Sequence, residues 1–258
     1  MKNKNILSLL AVICILVIQT GCKKVADFYT DIHLDVKGRY QVKNVSFTTG
    51  YGPEAVKNYN FFYSDDKKLE KIQYGEYDRI EFTYNPQGKL RKMMTLGYSA
   101  KYGDYDRADL FSYPDSNTII QTIYYGGQIW EPIWGLDSAV KVMKLDNKGR
   151  VIWEKTTVAT TYSGEIKGRI LTYSYDADGN RVIPAVTYTK KPSIRKLDDV
   201  FMLLDRNYSV NTASDESDQF NTAGLPVRLK RNKRDFLSLG YSNFKNNSIQ
   251  DVVVEYTK

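Results

Sequence analysis

Two tryptophans four residues apart stand in the segment Ile123-Tyr124-Tyr125-Gly-Gly-Gln-Ile-Trp130-Glu131-Pro-Ile-Trp134-Gly-Leu-Asp137. Flat aromatic faces beside carboxylates stack on sugar rings and hold their hydroxyls, and binding residues concentrate on loops carried by a rigid scaffold. Trp130, Trp134, Tyr124, Tyr125 and Glu131 are therefore candidate ligand contacts. The competing reading has both tryptophans folding back to close the end of a sheet, since large aromatics more often pack than bind. Carboxylates also come in close pairs at Asp104/Asp106, Asp198/Asp199 and Glu131/Asp137. Two such groups suffice for glycoside hydrolysis, but only their separation in space decides whether they can work together. Asp176-Ala-Asp178-Gly179-Asn180 resembles the start of a calcium loop, yet the later bidentate Glu of an EF-hand is missing and the segment also reads as a plain hairpin turn. The run Arg228-Leu-Lys230-Arg231-Asn-Lys233-Arg234 holds five cations in seven residues, either a dock for a polyanion or lipid head group or a solvated face that discourages aggregation.

Composition narrows the chemistry further. The 258 residues contain one histidine, His33, and two cysteines. That set builds neither a His- or Cys-rich zinc centre, a Cys₄ iron–sulfur cluster nor a disulfide framework, so no metal and no cofactor is expected. Gly-x-Ser-x-Gly is absent, and His33, in Tyr-Thr-Asp-Ile-His-Leu, has no Ser or Cys nucleophile motif near it. No catalytic residue is assigned. With 42% hydrophobic and 26% charged residues the chain has the makeup of a folded protein.

The first residues point to the cell envelope. Lys2 and Lys4 precede an apolar run from Ile6 to Ile18, followed by Gln19-Thr20-Gly21-Cys22-Lys23-Lys24. The run is short for a membrane span and has the flanks of a secretory signal. A small residue directly before Cys22 resembles the bacterial lipoprotein signal, which implies cleavage before Cys22 and acylation of its thiol and new amino group. Gln19 stands where that signal usually has Leu. Loss of Lys2 and Lys4 would leave a mature chain with 35 cations against 30 anions, a mild excess that does not call for nucleic acid as a partner. Acyl chains on Cys22 would supply the membrane attachment, at about 0.8 kcal/mol per buried methylene. The absence of an acidic cluster after Cys22 favours attachment to the outer membrane facing the periplasm. The expected organisation is a signal peptide over 1–21, an anchored linker over 22–37 and a single β-rich domain over 38–258.

A degenerate repeat fills that domain. It runs from an aromatic or apolar residue through Tyr or an apolar residue into a turn opened by Asn, Asp, Ser or Pro, and ends on an apolar residue. Copies end their first strand at Tyr63, Tyr84, Tyr113, Leu145, Tyr175, Phe220 and Tyr241, with spacings of 21, 29, 32, 30, 45 and 21 residues. Asn85-Pro-Gln-Gly88, Asp146-Asn-Lys-Gly149, Asp176-Ala-Asp-Gly179 and Asn221-Thr-Ala-Gly224 each offer an Asx side chain at the first turn position and Gly at the fourth, where φ > 0 is needed. Flanks such as Ile80-Glu-Phe82-Thr-Tyr84 alternate with period two, the mark of strands buried on one face. Most of the 21 tyrosines belong to these hairpins.

The Tyr173-Ser-Tyr175-Asp-Ala-Asp-Gly-Asn-Arg181 segment resembles a YD repeat of the Rhs and teneurin shell proteins. The lipoprotein signal with its irregular repeats is similar to Bacteroidetes lipoproteins of unknown function with a porin-like β fold. That resemblance implies an all-β antiparallel meander of hairpins curling into an open barrel or shell, and no assigned activity.

One stretch departs from period two. After Ser193, a suitable N-cap, Ile194, Leu197, Phe201 and Leu204 recur at helical spacing, which predicts a short helical insert near 193–205 plugging an opening or edge of the sheet. Lys89, Arg91, Lys141, Glu154 and Arg181 are expected on the outer face, and with a mean hydropathy of −0.47 they argue for a tethered soluble sheet and against a barrel facing lipid. The sequence reads as a non-enzymatic envelope lipoprotein whose loops bind a glycan or an envelope protein. A polysaccharide hydrolase and a purely structural shell protein are the alternatives.

Overall fold

The computed structural model describes residues 36–49, 56–97, 100, 104–128, 137–159, 166–184, 186–213, 218–230 and 249–258. Cys22, His33, Trp130, Glu131, Trp134, the repeat copy around Tyr241 and most of the basic run after Arg228 lie outside them.

Alternation and turn chemistry produce the expected antiparallel meander. Strands β1 (Gln41–Thr49), β2 (Val56–Tyr63), β3 (Leu69–Gln73), β4 (Arg79–Tyr84), β5 (Leu90–Leu96), β6 (Asp104–Asp115), β7 (Thr118–Gln128), β8 (Asp137–Leu145), β9 (Val151–Ala159) and β10 (Ile166–Thr172) pair with their neighbours in sequence. The chain then leaves the sheet for the short pair β11 (Tyr188–Pro192) and β12 (Asn211–Ala213). It returns as β13 (Gln219–Phe220), β14 (Pro226–Lys230) and β15 (Ile249–Thr257), with β15 alongside β1. The result is one 13-stranded sheet with β10 and β13 at its margins, unclosed.

The described repeat turns fall at one end of this sheet, and β1, β3, β5, β7 and β9 end at the other. The turns are built as their sequences require. Asn85 Oδ1 accepts from Lys89 N, Asp146 Oδ1 from Lys148 N and Arg150 N, Asp176 Oδ1 from Asn180 N, and Asn221 Oδ1 from Leu225 N. The fourth position takes a positive φ, +84° at Gly179, where a Cβ would also come within 3.0 Å of Val210. The first turn has Lys67 at that position, with φ 62°.

The tyrosines add a second device. Lys68, Lys89 and Arg150, each the last residue of a turn, lie over the rings of Tyr84, Tyr113 and Tyr175 at 5.7, 4.8 and 4.1 Å. The hydroxyls of the same tyrosines donate to the carbonyls of Leu69, Leu90 and Val151, the residues that follow those cations, at 2.7, 2.9 and 3.2 Å. One tyrosine thus fastens each turn to the next repeat through a cation–π contact and a hydrogen bond, contributing of order 1 kcal/mol apiece. The third copy lacks both partners, having Asn117 for the cation and Leu145 for the tyrosine.

The insert is helical, with a break. Residues Ile194–Leu197 form a 3₁₀ turn capped by Ser193, and α1 (Asp199–Asp205) starts afresh from Asp198, whose carboxylate accepts from Val200 N at 2.9 Å. Ile194, Leu197, Phe201 and Leu204 are buried as their spacing predicts. A seven-residue helix is not stable alone. Burial of these side chains, roughly 1.5–3 kcal/mol each, holds it instead. The insert lies on the inner face and not along an edge, with Phe201 edge-to-face against Phe61 of β2 at 6.0 Å.

Two residues expected outside are inside. Glu154 is 2% exposed, and Lys141 lies beside it on the inner face of β8. They belong to a polar row spanning β6 to β9. Arg107 forks onto Asp109 through two 2.7 Å bonds, and Gln121 Nε2 donates to Asp109 at 2.5 Å. Arg206, which follows α1, donates to Gln121 Oε1 and, at 2.7 Å, to Glu154 Oε2, and Lys141 Nζ stands 3.5 Å from Glu154. Burial works to raise the Glu154 carboxyl, but the charges of Arg206 and Lys141 outweigh it and hold it below the usual carboxylate range. Arg206 ends the helix in the left-handed region, φ 54°, a place usually taken by glycine and strained for other residues by about 1–2 kcal/mol. The ion pair its side chain makes on the sheet accounts for an arginine there.

Candidate binding cleft

Between the turn end of the sheet and the insert lies a cleft of about 900 Å³. One wall is the row of turns, carrying Lys67, Lys68, Lys89, Lys148 and Arg150. The other is the insert, from Lys196 to Leu203. Leu90, Ile119 and Leu145 form the floor, with Tyr84 and Tyr113 beneath their cations. The volume is in the range of small-molecule sites.

Most acids around the cleft already have work. Asp66 pairs with Lys68 at 2.7 Å, Asp199 with Lys37 at 2.7 Å, and Asp146 with Arg150 at 2.7 Å. Asp198 caps α1 and is pushed up to about 6, chiefly by burial and also by the charge of Asp199, against the pull of Lys37 and the backbone groups of Val200 and Leu69. Tyr63 and Tyr84 face the same carboxylate, which helps to raise both phenols, although burial is the larger cause. The Tyr63 hydroxyl is buried without a hydrogen-bond partner.

Ionising Asp198 in the folded state opposes folding. Its folded value lies above the unfolded one, so the stability it contributes is complete below about pH 4 and is lost as the pH rises through about 6. Asp198→Asn keeps the cap and removes the charge. We expect it to raise stability at pH 8 by about 1–2 kcal/mol and to be without benefit at pH 4. Urea titrations at the two pH values check this, and an equal effect at both would refute it.

Tyr124 and Tyr125 do not line the cleft. Tyr124 and Tyr125, adjacent on β7, point to opposite faces: Tyr124 packs against the small cluster of Met94, Leu96, Tyr105 and Ala108, while Tyr125 is 45% exposed under the guanidinium of Arg107. The strand ends flanking Trp130, Glu131 and Trp134 are at the end of the sheet away from the cleft, and those three residues lie outside the described ones. Asp198 and Asp199 serve a cap and an ion pair, and Asp176 braces its own turn. Among the described residues no three of His, Cys, Asp or Glu gather as metal ligands.

No protein family matches the chain, and no curated protein does. Among solved structures it is similar to a porin-like protein from Bacteroides vulgatus ATCC 8482, at 12% identity over 84% of this chain and 98% of the other, with a TM-score of 0.44. It is also similar to a porin-like protein from Bacteroides uniformis ATCC 8492, at 9% identity over 86% and 98%, with a TM-score of 0.32. At those scores the likeness carries no argument about the cleft. No helix among the described residues is long and apolar enough to cross a membrane.

The cleft itself was missed by reading motifs singly. Aligning the repeats on their turns would have exposed it, because Lys68, Lys89 and Arg150 occupy one repeat position, before Leu69, Leu90 and Val151. The insert wall carries no such signal.

Proposed function

We propose that the protein is a non-enzymatic envelope lipoprotein, anchored through acylated Cys22 to the outer membrane on its periplasmic side, whose β shell captures a ligand in the cleft beneath the insert. The observation that supports binding is the cleft's construction. Three repeats deliver cations to one wall, a buried ion-pair network fixes the other, and Asp66 and Asp199 are held in ion pairs. A glycan or a protein partner bound through Trp130, Trp134, Tyr124, Tyr125 and Glu131 is the second reading, favoured by the exposure of Tyr125.

A panel of glycans, peptides and lipids, screened by thermal shift against residues 23–258, separates the two. Every described core contact lies within that span. Binding lost in Met202→Glu and kept in Trp130→Ala/Trp134→Ala supports the cleft, and the reverse pattern moves the site to the loop.

Anchoring has its own test. Cys22→Ser is expected to abolish acyl labelling of the chain. Labelling that persists in the variant would count against Cys22 as the anchor.

A further inference from the structure

The cleft has two chemically distinct zones. Its floor is aliphatic, with Leu90, Ile119 and Leu145 from the sheet facing Met202 and Leu203 from α1. Its mouth is cationic. Lys148 and Lys196 have no side-chain partner among the described residues, and Lys89 has only the Tyr113 ring. Among the described residues Asp178 is the one carboxylate at the mouth with no ion pair or cap to serve. Several groups that would suit a neutral polar ligand are already in use. Tyr84 and Tyr113 donate their hydroxyls to sheet carbonyls and carry a lysine over their rings. The turn N–H groups of Gly88, Lys89, Gly149 and Arg150 are bonded within their own turns, so none of them is free to receive an added peptide strand.

We infer that the cleft takes an anionic amphiphile, its acyl chain along the aliphatic floor and its carboxylate or phosphate at Lys89, Lys148 and Lys196. This rests on the reading of the cleft as the binding site. Ammonium groups around an apolar trough attract a negative head, while the chain supplies the buried area that a small anion lacks.

Calorimetry on residues 23–258, with each lipid below its micelle concentration, tests this. Oleate and 1-oleoyl-lysophosphatidate stand for the two head groups, and their ranking tells carboxylate from phosphate. Neutral 1-oleoylglycerol, acetate, inorganic phosphate, a polyglutamate peptide and polygalacturonate complete the set. We expect at least one anionic lipid to bind at least tenfold more tightly than 1-oleoylglycerol, and neither acetate nor phosphate to bind measurably. Lys148→Glu/Lys196→Glu should weaken the anionic lipids at least tenfold and leave 1-oleoylglycerol unchanged. Met202→Glu should abolish all lipid binding, with Lys148→Gln/Lys196→Gln as the milder pair if a variant fails to fold by circular dichroism. Equal binding of the neutral lipid, or binding of the free anions, overturns the inference. Polygalacturonate or polyglutamate binding that depends on these residues, without lipid binding, overturns it and leaves the cleft reading standing. If no probe responds to the cleft variants, both fall.

Discussion

Arg206→Met is expected to lower the free energy of unfolding by about 3–5 kcal/mol, the usual consequence of stranding the partner of a buried ion pair. Glu154 has a nearly inaccessible side chain, and without Arg206 its nearest cation is Lys141 at 3.5 Å, itself held below the ordinary lysine range by burial and by the charge of Arg206. Gln121 loses the donor to its carbonyl oxygen in the same step. Adding Glu154→Met to the variant should restore most of the loss, because an apolar pair of similar size removes both desolvated charges at once. Urea denaturation followed by circular dichroism measures both. A single variant costing under about 1 kcal/mol, the scale of an exposed pair, would show that Glu154 is hydrated and the network weak.

Phe201→Ala should cost a similar amount, about 3–5 kcal/mol, by the loss of buried surface and the cavity left against Phe61. Its consequence is more local. The insert is held to the sheet by its apolar face and by Arg206, so emptying the centre of that face should free residues 193–213 before the meander melts. Limited proteolysis is expected to cut there in the variant, while the far-ultraviolet spectrum stays that of a β protein. Ligand binding in the cleft should disappear with the cuts, since Lys196 and Met202 form its second wall. Unchanged proteolysis in a destabilised variant would mean that insert and sheet unfold as one unit.

The parts of this fold that depend on local chemistry were legible in the sequence. Asn85, Asp146, Asp176 and Asn221 brace their turns because an Asx side chain at the first position reaches the backbone that follows, whatever lies around it. The buried face of the insert followed from its period, although the break at Asp198 did not, because two adjacent acids read equally well as a pair of catalytic carboxylates. The inner polar row was misplaced for an instructive reason. Lys141 shares its parity with the buried Met143, so period two alone puts it inside, and its charge argued the other way. Glu154 is reached after a register shift between Lys144 and Leu145, which changes the parity of β9 from its start. Nothing in either segment announces Arg206, which lies 52 residues further on.

The missing third fastening gives that arginine a second significance. Where Asn117 and Leu145 replace the cation and the tyrosine, successive hairpins lose one of their nearest-neighbour couplings, and an array held together by such couplings comes apart first at its weakest joint. Arg206 reaches Gln121 on one side of that joint and Glu154 on the other. The insert therefore acts as a splint across that joint, tying two stretches of meander to one another.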